Sequence, residues 1–196
     1  ESGMRILGRN TLGVLNGFHP FTTSFMPLSR EAAPVGVICQ SGIFFVGAGR
    51  LSGMMGKGID VGNACDIGFN EALNYLGDDP DTRVIAIHME GLNHGREFVS
   101  LASQISRKKP LVIFKTGRSE AGARAAASHS GTIAGSYRVY QAALTQAGCT
   151  LITEDSKMRD AVRALLYLPP MRGNRIAVVT VTGAGGIITT DALERY

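Results

Sequence analysis

The sequence of 196 residues contains no tryptophan, only three cysteines and no long uninterrupted apolar run. Its longest apolar runs, such as Val84–Ile87 and Leu111–Phe114, have the length of one β-strand. A membrane-spanning helix would need roughly 18 apolar residues in succession. The start of the chain, ESGMRILGRN, also lacks the apolar core of a signal peptide. We therefore expect a cytoplasmic protein that does not have a membrane as a partner.

The cysteines and histidines show no metal-binding pattern. Cys39, Cys65 and Cys149 follow no CxxC spacing and lie in apolar or strand-like runs, which favours reduced, partly buried thiols over disulfides or a metal site. The histidines at positions 19, 88 and 94 share no zinc spacing either. We predict no metal site in this chain, and we expect His88 to be a core or helix-facing histidine.

Positive charge is in small excess, but it is scattered along the chain. The net charge is +4 and the pI about 9.2, and the only basic run is Arg107-Lys108-Lys109 at the end of a helical pattern. Since no aromatic residues are interleaved with the basic ones, we do not expect a nucleic acid as a partner. Anionic small molecules such as coenzyme A or phosphate fit the charge equally well.

Short apolar runs alternate with helical patterns along the middle of the chain. This alternation predicts an α/β fold, in which a parallel sheet is covered by helices on both faces. Five βα units between residues 33 and 170 predict a flavodoxin-like, doubly wound, five-stranded sheet. The predicted strands are 35–39, 59–63, 83–89, 111–115 and 150–153, and the predicted helices are 42–55, 69–76, 96–107, 133–147 and 154–168.

The two ends of the chain do not fit into that unit. Residues 1–32 are predicted to be the end of an upstream domain and a linker. Residues 171–196 are predicted to be a linker and the start of a second α/β domain, with a strand at 175–182. One βα unit cannot bury both faces of its strand, so we expect the chain to be a piece of a longer protein. Exposed apolar surface at the missing contacts would favour a homo-oligomer.

The stretch from Lys115 to Ser136 is predicted to be a long loop of small residues that contains His129. A neutral imidazole nitrogen is a good nucleophile near pH 7, so His129 could carry a phosphoryl group. Arg118 and Arg124 supply cations that could meet its oxygens. The alternative is a helix-capping segment in which the histidine is incidental.

Two further groups belong at the carboxyl ends of predicted strands. Gln40-Ser41-Gly42 opens a helix, whose unpaired N–H groups and dipole favour an anion, although Ser41 could simply be an N-cap. Glu90 ends the strand 83–89 and could accept a hydrogen bond from one ring nitrogen of His129, which would fix the tautomer. The alternative for Glu90 is a solvated glutamate at the end of a strand.

Five blocks cover almost the whole chain: GRNTLGVLN, VGVICQSGIFF, GKGIDVGNACDI, YLGDDPDTRVIAIHMEG and KTGRSEAGARAAASHSGTIAGS. Together, and in this order, they resemble the NDP-forming acyl-CoA synthetases, relatives of the α-subunit of succinyl-CoA synthetase. The resemblance implies a phosphohistidine at His129, oriented by Glu90. It implies phosphate or substrate binding by Gln40, Ser41, Gly42, Ser130, Gly131 and Asn10.

The reaction implied by the resemblance is carboxylic acid + CoA + NTP ⇌ acyl-CoA + NDP + phosphate, with ATP or GTP and Mg²⁺ as co-substrates. The implied partners are an upstream CoA-binding domain, an ATP-grasp domain or subunit that holds the nucleotide, and a small carboxylic acid or its acyl-CoA. The chain alone is expected to be inactive. Arg9 stands where the family usually has proline, and Thr11 where relatives often have cysteine, so the acyl specificity stays open.

Two other functions remain open at the level of the sequence. The chain could be a ligand-sensing, synthetase-like module fused to a protein acetyltransferase, although retention of both His129 and Glu90 favours the enzyme. A flavin- or nucleotide-binding flavodoxin-like protein would need a phosphate loop rich in Ser and Thr, and QSGIFF supplies only one hydroxyl.

Overall fold

The computed structural model describes residues 3–29, 31–130, 135–171 and 173–194, apart from the side chains at 127, 129 and 130. In these ranges the strands are β1 Gly13–Asn16, β2 Phe21–Thr22, β3 Val35–Cys39, β4 Lys57–Asp60, β5 Val84–Met89, β6 Leu111–Lys115 and β7 Thr150–Ile152. The helices are α1 Gly42–Leu51, α2 Phe69–Asp78, α3 Gly95–Ile105, α4 Glu120–Ser130, α5 Tyr137–Gln146, α6 Ser156–Tyr167 and α7 Gly183–Leu193.

The described strands form one mixed sheet of seven, in the order β2-β1-β4-β3-β5-β6-β7. The five strands from β3 to β7 are parallel and lie in the order 2-1-3-4-5 of a flavodoxin-like fold, so the predicted fold class is confirmed. The strands β1 and β2 are an addition to the five that the sequence predicts. They pair antiparallel, β1 with β4 and β2 with β1, and extend the sheet on one side.

Helices cover both faces of the sheet. On one face, helices α2, α3 and α5 contribute Leu73, Phe98 and Leu144 to a buried apolar cluster. On the other face, α1 and α6 contribute Phe45 and Val162 to a second cluster. Strands β3 and β5 are buried along their whole length because they lie between these layers. None of the helices in the described ranges is long and apolar enough to cross a bilayer.

The structure corrects several predicted elements. The strand predicted at 59–63 is Lys57–Asp60, and the helix predicted at 42–55 ends at Leu51. The predicted loop around His129 is largely helical, because α4 spans Glu120–Ser130, where alanines with high helix propensity dominate. Helix α5 begins at Tyr137 after the N-cap Ser136, later than the predicted residue 133. The strand predicted at 175–182 is not formed, and no strand among the described residues lies beside this segment to supply hydrogen bonds, whereas the helix predicted behind it is present as α7.

Candidate functional site

The parallel strands carry polar side chains at one edge of the sheet. Gln40, Asp60 and Glu90 lie at or just after the ends of β3, β4 and β5, and Lys115 ends β6. Because the carboxyl ends of parallel strands share one edge, these four residues gather where open α/β folds bind ligands. The helix α1 begins at this same edge, immediately after Gln40 and Ser41.

Gln40 connects two neighbouring strand ends. Its side-chain Oε1 accepts hydrogen bonds from the backbone N–H groups of Glu90, at 2.8 Å, and Gly91, at 3.1 Å. The residue is only 3% exposed, so these bonds form away from water. The structure therefore brings together the predicted residues Gln40 and Glu90, with Gln40 fixing the backbone from which the Glu90 side chain projects. Gln40 also borders a cavity of about 180 Å³ next to Cys65, Gly91 and Asn93.

Ser41 is the N-cap of α1, with an extended backbone, and its hydroxyl accepts no capping hydrogen bond from the N–H groups of the first turn. The first N–H groups of α1 therefore point toward the polar edge, where the helix dipole favours an anion. Gly42 follows as the first helical residue. A Cβ atom at this position would lie 3.2 Å from the Leu12 side chain and 3.8 Å from Oδ2 of Asp60, so the N-terminal segment of the chain packs close to the start of the helix.

Asn10 lies in a turn that runs beside the end of β4. Its backbone adopts a positive φ of 53°, and its side-chain amide donates to Oδ1 of Asn63 at 3.3 Å. The segment before it follows residues 63–67 through backbone hydrogen bonds, including one from Asn63 N to the Arg9 carbonyl at 3.0 Å. Gly62 makes this approach possible, since a Cβ there would lie 2.3 Å from the Arg9 carbonyl oxygen.

Asp60 is a functional candidate that the sequence analysis missed. Its buried carboxylate accepts from Leu12 N at 2.7 Å and Gly62 N at 3.2 Å, and its backbone carbonyl accepts from the Thr11 hydroxyl. Burial raises the pKa of the Asp60 carboxyl, and the hydrogen bonds from Leu12, Gly62 and Thr11 partly offset this increase. Asp60 thereby holds the turn containing Asn10 against the start of α1. The sequence offered one signal for Asp60, namely that it is a single acidic residue at the end of the strand-like run GKGID.

Lys115 is a second residue that the sequence analysis passed over. The side chain is only 3% exposed, and its ammonium donates to the Thr116 carbonyl and lies 4.8 Å from the centre of the Tyr140 ring. Burial lowers the pKa of Lys115, while the negative charge of half-buried Glu90 acts in the opposite direction. Since Lys115 pairs with Met89 in the parallel ladder, this buried cation lies beside the residue that precedes Glu90.

His129 lies one residue before the end of α4, in the region that carries the chain on from β6. Its side chain and that of Ser130 are outside the described residues, as is Gly131 altogether. Gly117, with a positive φ of 70°, turns the chain into α4; a Cβ there would lie 3.2 Å from the Ala126 Cβ. The Arg118 guanidinium donates to the Thr153 carbonyl at 2.5 Å. Arg118 is thus engaged at the end of β7 in this structure.

His88 lies inside the fold and faces a helix, as expected. Its ring stacks on Phe44 of α1 with a centroid distance of 3.7 Å, and Nε2 lies 3.4 Å from the Thr116 hydroxyl. Burial, assisted by the charge of Lys115, lowers the pKa of His88 to about 3. Its Nδ1 atom is buried without a hydrogen-bond partner in the described part of the chain. His88 is therefore a neutral packing residue near pH 7. Across the described ranges, no group of three His, Cys, Asp or Glu side chains could hold a metal ion.

Comparison with known proteins identifies the family. The family described as "Succinyl-CoA ligase like flavodoxin domain" matches residues 32–165. Two similar relatives come from Pyrococcus furiosus: the α-subunit of acetate–CoA ligase [ADP-forming] I, 40% identical, and that of acetate–CoA ligase [ADP-forming] II, 36% identical. Each match covers 98% of this chain but only 42% and 43% of the respective subunit.

A solved structure agrees with this comparison. The chain superimposes with a TM-score of 0.91 and 35% identity on the dinucleotide-forming acetyl-coenzyme A synthetase 1 of Ca. Korarchaeum cryptofilum in complex with phosphate and ADP. That match covers 98% of this chain and 43% of the synthetase chain. The three relatives are ligases or synthetases by name, so they lend no support to the sensing-module alternative. This protein therefore belongs to the succinyl-CoA ligase-like flavodoxin domain family.

Proposed function

We propose that this chain is the phosphoryl-carrying part of an NDP-forming acyl-CoA synthetase and that His129 is the carrier. The observation that carries the proposal is the pair of hydrogen bonds from Glu90 N and Gly91 N to Gln40, which fix a carboxylate-bearing turn beside the start of α1. The helix α4, on which His129 lies, begins shortly after the neighbouring strand β6 ends at this edge. The proposed acceptor and the anion-favouring helix terminus thus lie at one sheet edge, and the proposed nucleophile lies on the helix that follows the neighbouring strand.

Each proposed residue has a defined chemical task. A nitrogen of the neutral His129 ring attacks the phosphorus of an acyl phosphate; the N–P bond forms while the bond to the acyl oxygen breaks, and the carboxylate leaves. Glu90 accepts a hydrogen bond from the other ring nitrogen and so fixes the tautomer that attacks. The N–H groups at Ser41 and Gly42 stabilise the negative charge on the phosphoryl oxygens. Transfer from phosphohistidine to a nucleoside diphosphate completes the reaction.

The remaining substrates require parts beyond this chain, which spans about two fifths of its relatives. We assign coenzyme A to an upstream CoA-binding domain, and nucleotide with Mg²⁺ to an ATP-grasp domain or subunit. ATP is the proposed nucleotide, because the relatives are named ADP-forming. We expect residues 1–196 alone not to complete the reaction. The cytoplasm, where acyl-CoA and ATP are available, is the proposed location.

Phosphorylation of the intact protein tests this function. The protein is incubated with acetyl-CoA and ³²P-phosphate, or with γ-labelled ATP, beside the variants His129→Ala and His94→Ala. His94 is a suitable control because its side chain is 72% exposed at the start of α3. We expect an acid-labile, alkali-stable label in the wild type and in His94→Ala, and none in His129→Ala. Label that persists in His129→Ala, or absence of label from the wild type with both donors, would contradict the carrier role.

A further inference from the structure

The turn that follows β5 is held from two sides. Gln40 accepts from the N–H groups of Glu90 and Gly91, and the hydroxyl of Tyr140 accepts from the next one, Leu92 N, at 3.0 Å. Three consecutive backbone donors are therefore satisfied by two side chains far apart in the sequence, Gln40 just after β3 and Tyr140 in α5. Backbone conformation in this turn depends on those side chains, because no strand partner supplies the acceptors.

Tyr140 also connects the turn to a buried cation. The Lys115 ammonium lies 4.8 Å from the centre of the Tyr140 ring, a cation–π distance. The same ammonium donates to the Thr116 carbonyl, and the residue is 3% exposed. An ammonium has three N–H donors, so one carbonyl and one ring leave it with capacity for a further negative partner. Lys115 pairs with Met89 in the parallel ladder, so its charge lies beside the residue that directly precedes Glu90. The charge of Glu90 in turn opposes the effect of burial on the pKa of Lys115.

Tyr140 is close to the point where the chain enters α5 after the segment that carries His129. A Cβ atom at Gly135 would lie 2.8 Å from the Tyr140 ring, so the residue before the N-cap of α5 packs directly on this ring. One aromatic side chain thus contacts the Glu90–Leu92 turn, the end of β6 and the entrance to α5. These are the parts that must keep a fixed geometry if Glu90 is to orient His129.

We propose that Tyr140 and Lys115 act together as positioning residues for Glu90, with Tyr140 fixing the turn through Leu92 and Lys115 stabilising the carboxylate by its charge. This inference rests on the proposed function, because it gives Glu90 the task of orienting the His129 ring. Neither residue touches the reacting atoms. They act by keeping the Glu90 carboxylate where it can accept a hydrogen bond from the His129 ring. Partners of a metal-ligating histidine fix the tautomer of its ring in a comparable way.

Conservative variants in the intact protein separate the two contributions. Tyr140→Phe removes the acceptor for Leu92 N but keeps the ring, and Lys115→Met removes the charge but keeps the chain length. Lys115→Arg restores the charge. Tyr167→Phe serves as the control, because Tyr167 is 65% exposed at the end of α6.

Two measurements are made on each variant: the rate of His129 phosphorylation with a saturating donor, and the ¹⁵N resonances of the His129 imidazole. We expect Tyr140→Phe and Lys115→Met to lower the rate by about 10- to 100-fold, which is typical when a group that orients a functional histidine is lost. The resonances should move from one predominant neutral tautomer toward a mixture. Lys115→Arg should recover most of the rate, and Tyr167→Phe should match the wild type.

The outcomes distinguish this inference from the proposed function. If the wild type is labelled at His129 but Tyr140→Phe and Lys115→Met are labelled at the wild-type rate, the positioning role is wrong and the carrier role stands. If His129 takes up no label in the wild type, the carrier role fails first, and the positioning role fails with it. A fall in rate that is matched by loss of folded protein in thermal unfolding, with an unchanged tautomer ratio in the folded fraction, would show a structural role and overturn the inference.

Discussion

Gln40 and Glu90 are joined by a hydrogen bond of 2.8 Å from the backbone N–H of Glu90 to the side-chain oxygen of Gln40. The side chain that directly follows the central strand β3 thus fixes the backbone of the residue that follows β5. The same oxygen also accepts from Gly91 N, so its hydrogen-bonding capacity is used within the protein. The part of the Gln40 side chain that can donate to a ligand is therefore its amide NH2 group.

Replacement of Gln40 by leucine should destabilise the protein and impair phosphorylation together. Gln40→Leu leaves the N–H groups of Glu90 and Gly91 without an acceptor in a largely buried turn, at a cost of about 2 kcal/mol or more in the free energy of unfolding. Urea denaturation and the phosphorylation rate are measured on the same preparation. Gln104→Leu, an exposed position on α3, should stay within about 0.5 kcal/mol of the wild type. Equal stability of the two variants would refute the acceptor role.

His88 should make the protein sensitive to acid. Its folded pKa of about 3 lies below the unfolded value of about 6.5, so between these values the unfolded chain binds a proton that the folded protein does not. Stability should therefore fall as the pH decreases through this window, by about 1.4 kcal/mol per pH unit from this residue.

Replacement of His88 by phenylalanine isolates that contribution. His88→Phe keeps an aromatic ring against Phe44 and removes the buried Nδ1 atom that lacks a partner among the described residues. The free energy of unfolding at pH 7 should be equal or greater, and the difference from wild type should grow as the pH falls toward 3. Since carboxylates also titrate there, the comparison is with His94→Phe. Parallel stability curves for all three proteins would contradict the prediction.

A buried ion pair at the amino ends of the parallel strands should affect stability but not phosphorylation. The Lys57 ammonium lies 2.5 Å from Asp79 and 2.9 Å from Asp81. Burial lowers the pKa of Lys57, but the two carboxylates outweigh it and the net change is an increase. Lys57→Met should cost about 3–5 kcal/mol, because it leaves the buried Asp79 carboxylate uncompensated.

The double variant Lys57→Met/Asp79→Asn checks this explanation by thermal or chemical unfolding. It should recover part of the lost stability, since the unpaired charge is removed as well. Phosphorylation per folded molecule should be unchanged, because Lys57 begins β4 at the end of the strand away from the candidate site. Additive losses in the double variant would show that pairing is not the cause.

Gly62 should be intolerant of any side chain. With a positive φ of 52° and a would-be Cβ 2.3 Å from the Arg9 carbonyl oxygen, Gly62→Ala must displace the turn that holds Asn10. We expect a loss of more than about 1 kcal/mol in stability and a reduced phosphorylation rate. Gly49→Ala in α1 is the matched control, because no atom lies within 4 Å of its Cβ position and alanine favours helix. Equal melting temperatures for the two variants would show that the close approach of Gly62 to the Arg9 carbonyl does not affect stability.

Local patterns were sufficient for most of the fold. The strand β6 has the predicted bounds because an apolar run is delimited by Pro110 on one side and polar Thr116 on the other. The strand β1 could not be foreseen, since its stability comes from pairing with β4, more than forty residues later. The alanines of α4 favour a helix and the surrounding Gly and Ser residues favour a loop; helix propensity prevails over Glu120–Ser130.

The candidate site, like the fold, could be predicted only in part from local patterns. Strand ends predicted that Gln40 and Glu90 lie at one edge, and the structure joins them directly. Asp60 and Tyr140 were missed because each acts on a residue 48 positions away, Leu12 and Leu92 respectively. The sequence does not indicate which distant backbone N–H will donate to a given carboxylate or phenol, because that depends on how the helices and strands pack.

The strand order also bears on how the protein is made. Among the described parallel strands, β3 comes first in the chain and takes the central position, and its two neighbours β4 and β5 follow it. The strands β6 and β7 then add outward in the order of synthesis. The sheet can thus grow co-translationally from its centre, with each new strand meeting an edge already formed. Among the described strands, the β1–β2 hairpin is the part that precedes its partner, because β1 pairs with β4, which is synthesised more than forty residues later.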